Sequence, residues 1–449
     1  MKITARTVAA AVLLRVEQNR AFAAAALESE LAQAVQLEPR DRALATEIVY
    51  GALRTHGFLE AQIARFSSRP VSDIDPKVRV HLVVAAYQMF FLTRVPRFAA
   101  VNDAVDAVRD TGNAKGSGFA NAILRKVAAA AETEPITVAD AMLQSAPAWL
   151  RDALTRALGS EEAARDFIAE SSGPADVGIC VYDATTRDAW VERLSAAKPD
   201  ASFRASALSP HAIRAKNAGR PQDLEGFLTG ELSIQEEGSQ LVAQSLGAKA
   251  GETVLDACAG RGNKTAILAH AVGPGGAVDA VDQHPKKLER LAIELERVHV
   301  QARNVLAVDW TVGAGDVPVG AYDRVLVDAP CSGTGTIRKR PEIFVRRVES
   351  DLKSLADLQL AILERASAAV RPGGTLVYAV CSVLREECED VIAKFERNRP
   401  EFRACPFEDG PVKTLAGERT SLRLLPTEHG TEGYFMASFS RLVEKGREP

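Results

Sequence analysis

From about residue 236 onward the sequence alternates short apolar runs with longer stretches of helical character, and this rhythm limits the fold more than any other feature. The runs are TVLDACAG, AVDAVD, NVLAVDW, RVLVDAP and TLVYAVCS, separated by helix-length segments that include ones ending near Ala271, Val298 and Ala369. Runs of this length, rich in β-branched residues, read as buried strands. Their alternation with helices predicts a parallel sheet covered on both faces. The closing SLRLLPTEHGTEGYFMASFSRL reads as two strands around a turn at Gly430–Gly433. In open α/β sheets ligands gather outside the carboxyl ends of the strands, so the residues ending each run are the ones to inspect.

Four of these runs end in an acid: Asp256, Asp282, Asp309 and Asp328. Taken singly, each is better read as a turn residue or helix N-cap. Taken together they point to one nucleoside-bearing cofactor along the sheet edge, with Asp282 placed to accept hydrogen bonds from ribose hydroxyls. Between the first run and its helix lies the loop ACAGRGNKT, whose Gly260 and Gly262 allow the backbone to approach a ligand closely. The loop lacks the first glycine of a P-loop. It is not a full GxGxxG either, which argues against NAD.

The six cysteines show no framework spacing and no CxxC pair, so structural zinc and a disulfide scaffold are both disfavoured. A lone cysteine is more often a small buried hydrophobe than a nucleophile, and Cys180, Cys388 and Cys405 take that reading. Cys258 lies in the glycine loop and is expected to pack or to lend its backbone to the cofactor. Cys331, in VDAPCSGTG, and Cys381, in YAVCS, each follow a strand end on the ligand side. A thiolate that attacks carbon needs a depressed pKa and a route to substrate, and such positions offer both.

The remainder divides by character. Residues 1–138 read as helical, with Leu44, Ile48 and Leu53 on one apolar face and Val80 to Leu92 as a nearly uncharged central helix. Residues 139–235 read as a small α+β connecting domain, and residues 236–449 as the α/β domain. The N-terminal apolar run is interrupted by Arg15, Glu17 and Arg20, so an amphipathic helix is expected rather than a membrane span, and the chain is expected in the cytoplasm. A net charge of −4 gives no global argument for nucleic acid. Residues 1–135 carry 17 Lys and Arg against 14 Asp and Glu, an excess that a solvated surface also shows.

DRALATEIVYGALR followed by NAILRK resembles the NusB-like RNA-binding helical domain. DACAGRGNKT, AVDAVD, VLAVDW, VLVDAPCSGTG and TLVYAVCS are similar, in order and spacing, to the RNA 5-methylcytosine methyltransferases. The resemblance implies a class I methyltransferase fold closed by an antiparallel hairpin, behind a NusB-like domain and a connecting domain that helps hold RNA. The implied activity is S-adenosylmethionine-dependent methylation of carbon 5 of a cytosine in 16S ribosomal RNA, free or in early assembly, by a monomer needing no metal and no membrane. Residues Cys258, Ala259, Gly260, Arg261, Gly262, Asn263 and Lys264 would form the cofactor loop, Asp282 would hold the ribose, and Asp309 the adenine side. Asp328 would line the site beside both cofactor and cytosine. By the family pattern Cys381 is the nucleophile and Cys331 assists release. DNA cytosine methyltransferases attack instead with the Pro-Cys cysteine, which here is Cys331.

Three departures accompany the resemblance. Arg261 and Asn263 replace the family's proline and second glycine, and Asn263 is expected to preserve the turn through a left-handed backbone. Val380 stands where threonine usually precedes the nucleophile. The basic segment IRKRPEIFVRR reads equally as a phosphate contact or as a solvated helix start. Rival readings are the same chemistry on transfer RNA or another ribosomal site, and a catalytically silent RNA-binding assembly or antitermination factor.

Overall fold

A computed structural model of the chain describes residues 2–112 and 114–443. It parts into two compact units, Met1–Pro174 with Thr336–Glu349, and Ala175–Gly335 with Ser350–Pro449.

The first unit is helical. Its elements are α1 (Ala5–Asn19), α2 (Ala23–Gln33), α3 (Pro39–Arg54), α4 (His56–Phe66), α5 (Pro76–Phe91), α6 (Arg97–Asp110), α7 (Ala114–Thr133), α8 (Val138–Ser145), α9 (Ala148–Leu158) and α10 (Glu161–Glu170). The starts follow local chemistry. Thr4 caps α1, Pro39 opens α3, and Asp75 caps α5 by accepting from the Lys77 amide. The uncharged helix expected around Val80 is the centre of this unit, with Val80 through Met89 all buried. Among the described residues no helix is long and apolar enough to cross a membrane.

The boundary expected at 138 falls inside this unit. Helix α8 packs on α4, and the Phe58 amide donates to the Ser145 hydroxyl at 2.9 Å. The expected connecting segment 139–235 is therefore divided, its helices belonging to the first unit and its strands to the second.

The basic segment is built into the first unit. Residues 336–349, with the short α15 (Ile343–Arg346), are packed into the helical unit. The Arg54 guanidinium donates to the Arg338 carbonyl at 3.1 Å, and the Arg346 guanidinium donates to the Arg20 carbonyl at 2.6 Å while lying over the Phe22 ring.

The second unit holds two sheets. The smaller, ordered β2-β3-β1-β4, is antiparallel and comprises β1 (Val177–Val181), β2 (Ser202–Ala205), β3 (Ala212–Lys216) and β4 (Leu232–Ile234). The larger comprises β5 (Thr253–Asp256), β6 (Ala277–Asp282), β7 (Asn304–Ala307), β8 (Tyr322–Asp328), β9 (Val370–Val380), β10 (Phe402–Ala404), β11 (Ser421–Leu424) and β12 (Tyr434–Arg441). Its order is β10-β12-β9-β8-β5-β6-β7, with β11 paired to β12. Strands β5 to β9 run parallel, whereas β12 is antiparallel to β9 and forms the expected closing hairpin with β11.

Helix α11 (Arg187–Ala197) lies against the smaller sheet, and α12 (Glu237–Ser245), α13 (Asn263–Val272), α14 (Pro285–Arg297), α16 (Ser350–Ser367) and α17 (Glu389–Asn398) supply the crossovers and cover of the larger one. Leu288, Leu291 and Leu295 of α14 recur at helical spacing and are buried, which fixes the face it turns inward. The chain winds one way from β5 to β6 and β7, and the other way from β8 to β9. The carboxyl ends of β5 and β8 thus flank a topological switch point, where a crevice opens.

Candidate active site

The loop after β5 is shaped by its glycines. Gly260 and Gly262 adopt φ of 59° and 92°, and a Cβ at Gly262 would lie 2.9 Å from Leu291 of α14. Asn263 does not take the left-handed conformation expected of it. It is the first residue of α13, and its side-chain amide donates to the Ile234 carbonyl at 3.3 Å. Arg261 is exposed, so its bulk is accommodated without packing against the loop.

An open cleft lies at the strand ends, lined by Cys258 and Gly260 from this loop and by Asp282, Asp309 and Asp328. Asp282 is buried and accepts from the Gly260 amide at 3.1 Å, from the His284 amide at 2.9 Å, and from Lys287 Nζ at 3.3 and 3.4 Å. Asp309 is exposed and lies two residues beyond the end of β7. Its carboxylate accepts from the Thr311 hydroxyl and amide, which lower its pKa. Sequence reasoning missed His284, Lys287, Trp310, Leu358 and Ile362, which also line the cleft. Trp310 is held by its indole N–H donating to the Ala257 carbonyl at 2.7 Å. Its position beside Asp309 was the available signal. Leu358 and Ile362 arrive from α16 and carry none. Ala259, Arg261, Gly262, Asn263 and Lys264 do not line this cleft.

Lys264 instead turns toward the sheet, its Nζ 2.6 Å from Asp328 Oδ2, with both side chains largely buried. Burial opposes the charge on Lys264. The Asp328 carboxylate, with Asp256 and Cys381, outweighs it and raises the pKa. Asp256, at the end of β5, accepts from the Thr265 hydroxyl at 2.8 Å, and burial pushes its carboxyl up to about 6. Burial likewise pushes the Cys258 thiol well up, which suits a packing role.

Cys331 and Cys381 meet. They follow the ends of β8 and β9, neighbouring parallel strands in which Asp328 pairs with Ala379, and their sulfurs are 3.2 Å apart. Both are partly exposed, and neither is in a disulfide. The Cys331 thiol is pushed well above its ordinary range, first by its hydrogen bond to Cys381, then by burial and by the Cys381, Glu387 and Asp328 charges. Two sulfurs this close can hold one negative charge between them, but not two. The glycine tail after Cys331 has a steric reason. The Gly335 amide donates to the Cys381 carbonyl at 3.1 Å, and a Cβ on Gly335 would fall 2.0 Å from the Gly433 carbonyl oxygen.

Comparison with known proteins bears on this arrangement. The family model "16S rRNA methyltransferase RsmB/F" matches residues 243–440, which include the glycine loop, all four acids and both thiols; the NusB family model matches residues 3–129. Ribosomal RNA small subunit methyltransferase B of Xylella fastidiosa (strain 9a5c) is 35% identical over 444 residues, covering 98% of this chain and 100% of that protein. The chain belongs to the RsmB methyltransferase family. A probable RsmB of Synechocystis is 30% identical over 449 residues, covering 98% and 100% of the two chains. The fold is shared by the solved structure of PH0851, with a TM-score of 0.80 at 24% identity, over 98% of this chain and 100% of that one.

Proposed function

We propose that this RsmB-family chain transfers a methyl group from S-adenosylmethionine to carbon 5 of a cytosine in small-subunit ribosomal RNA, through a covalent bond between Cys381 and the base. The observation that carries the reading is the pair of sulfurs 3.2 Å apart at two adjacent strand ends, beside the buried Lys264–Asp328 pair.

The cleft fits the cofactor by its donor set. Asp282 is bonded to Lys287 only at 3.3–3.4 Å, long contacts that ribose hydroxyls can replace, and Leu358, Ile362 and Trp310 offer apolar surface for an adenine. Gly260 would give the backbone close approach, Asp309 would take the adenine side, and the remainder of 258–264 shapes the loop. When bound, the cofactor supplies an electrophilic methyl group.

Cytosine carbon 5 is a poor nucleophile while the ring is aromatic. Addition of the Cys381 thiolate to carbon 6 makes carbon 5 part of an enamine, which can take the methyl. Loss of the carbon-5 proton to a base then expels the thiolate and restores the ring. Two features favour Cys381 over Cys331 as nucleophile. Lys264 and Cys381 interact electrostatically, which favours a thiolate there, whereas the charges acting on Cys331 are all negative: those of Cys381, Glu387 and Asp328. The negative charges around Cys331 favour its protonated form, and that thiol would donate to the neighbouring sulfur as it leaves. Asp328 would accept from the cytosine edge. The base must be unstacked to reach the thiols, so a loop, bulge or unfolded stretch of RNA is the expected substrate.

Bisulfite sequencing of RNA from a deletion strain beside its parent tests the reading. Loss of one cytosine signal in 16S ribosomal RNA is expected. A loss in transfer RNA would redirect the substrate, and no loss anywhere would overturn the chemistry.

A further inference from the structure

Behind the two thiols lies a carboxylate whose hydrogen bonds this chemistry leaves unexplained. Glu387, in the turn between β9 and α17, is fully buried and gathers hydrogen bonds from both cysteine-bearing loops. Its Oε1 accepts from the Ser332 amide at 2.7 Å and from the Gln359 side chain at 2.9 Å. Its Oε2 accepts from the Ser382 hydroxyl at 2.6 Å and from the Ser332 hydroxyl. Ser332 directly follows Cys331, and Ser382 directly follows Cys381. Gln359 extends the lattice by donating to the carbonyl of Pro330, the residue before Cys331, at 3.0 Å. The Tyr378 hydroxyl donates to the Glu387 carbonyl at 2.7 Å.

Burying an ionised carboxylate is costly unless its oxygens are satisfied, and a position that only needed filling would hold an apolar side chain. Here four donors converge from two loops and a helix on one group. Each cysteine is one peptide bond from a clamped serine, so neither loop can shift without breaking bonds to Glu387.

We propose that Glu387 is the positioning residue of the two-thiol site: its single carboxylate ties the loop after Cys331 to the loop after Cys381 and thereby sets the separation of the sulfurs. The inference rests on the reading that these thiols act on cytosine. The charge of Glu387 also contributes to keeping Cys331 protonated, so one group serves both the spacing and the division of labour between the sulfurs.

The test is Glu387→Gln in the full chain, which keeps the size and removes the charge and two acceptor sites. Single-turnover methyl transfer should fall by about 10²-fold, while apparent affinities for RNA and cofactor stay within about twofold. Alkylation of the RNA-free protein by iodoacetamide, mapped by mass spectrometry across pH, should show Cys331 reacting at lower pH than in the parent. Unchanged transfer and an unchanged alkylation profile in the folded variant would overturn the proposal, as would a loss confined to RNA or cofactor affinity. If Glu387→Gln does not fold, Ser382→Ala removes one bond of the clamp. It should slow transfer by about tenfold and alter the same profile, and no change would be equally fatal. A parent chain that methylates no cytosine would defeat the proposed function, while the alkylation profile would still decide the role of Glu387.

Discussion

The open cleft beside β5, β6 and β7 and the thiol pair beyond β8 and β9 occupy one sheet edge but are held in different ways. In the cleft, polar groups are set mainly by near neighbours. Asp309 is fixed by Thr311, and Asp282 by His284 two residues on and Gly260 in the adjoining loop. Several of its lining groups are exposed, as a surface that exchanges a small molecule at each turnover needs to be. The Cys331 loop is set by partners 28 to 55 residues apart in sequence, through Glu387, Gln359 and Ser332, and the same Glu387 holds the Cys381 loop through Ser382, five residues before it; these groups are buried. Binding tolerates adjustable contacts. Bond formation at a fixed atom does not, and the more expensive scaffold is found where the covalent step is proposed.

The contrast breaks most sharply at the sulfurs. Cys381→Ala should lower methyl transfer by at least about 10³-fold, with cofactor affinity by calorimetry essentially unchanged; retained transfer would remove Cys381 from the chemistry. On the cleft side the expected effect is smaller and of another kind. Asp282→Ala should weaken S-adenosylmethionine binding by about 10- to 100-fold while the rate at saturation changes little, and a fall in rate without a change in affinity would contradict the assignment.

Gly335→Ala probes the packing under the thiols. Its Cβ, 2.0 Å from the Gly433 carbonyl oxygen, must displace backbone, at a cost of about 1–3 kcal/mol. A clear drop in Tm together with slower transfer is expected, and an unchanged Tm would show that the loop gives way without penalty.

The smallest effect concerns pH. Asp256 is held at about 6 in the folded chain, against an ordinary value of 3.8. Between these values the folded state keeps a proton that the unfolded chain has lost, so stability falls as pH rises through the window and levels off above it. Asp256→Asn should flatten that fall and leave the variant more stable than the parent above the window, by roughly 1–2 kcal/mol given the coupling to Lys264 and Asp328. Urea unfolding on both sides of the window measures it. A variant that is less stable at high pH would mean the charged carboxylate is favoured.

What could be read from sequence follows the same division. The runs at Val325–Val327 and Leu376–Val380 were legible as strands because they are short, hydrophobic and rich in β-branched or aromatic residues, and every one of those residues is fully buried. The acids and thiols at their ends were legible because strand ends face the crevice. Asn263 was misjudged because residue type permits a left-handed backbone without requiring one; Gly260 and Gly262 already supply the turn. Asp309 looked like a strand end, but β7 stops at Ala307. The placement of residues 338–347 was illegible because charge alone does not show that long-range partners such as Arg54 and Arg20 hold the segment. Glu387 had no signal at all. In CSVLREECED it reads as one of several charged residues at a solvated helix start, and only packing distinguishes it from Glu386 beside it.

The most direct test of the account is to incubate Cys331→Ala and Cys381→Ala variants with substrate RNA and S-adenosylmethionine and to map any covalent protein–RNA product by mass spectrometry. Cys331→Ala should accumulate an adduct joining Cys381 to the target cytosine, and Cys381→Ala should form none. An adduct through Cys331 in the Cys381→Ala protein would reverse the roles of the two sulfurs and contradict the account.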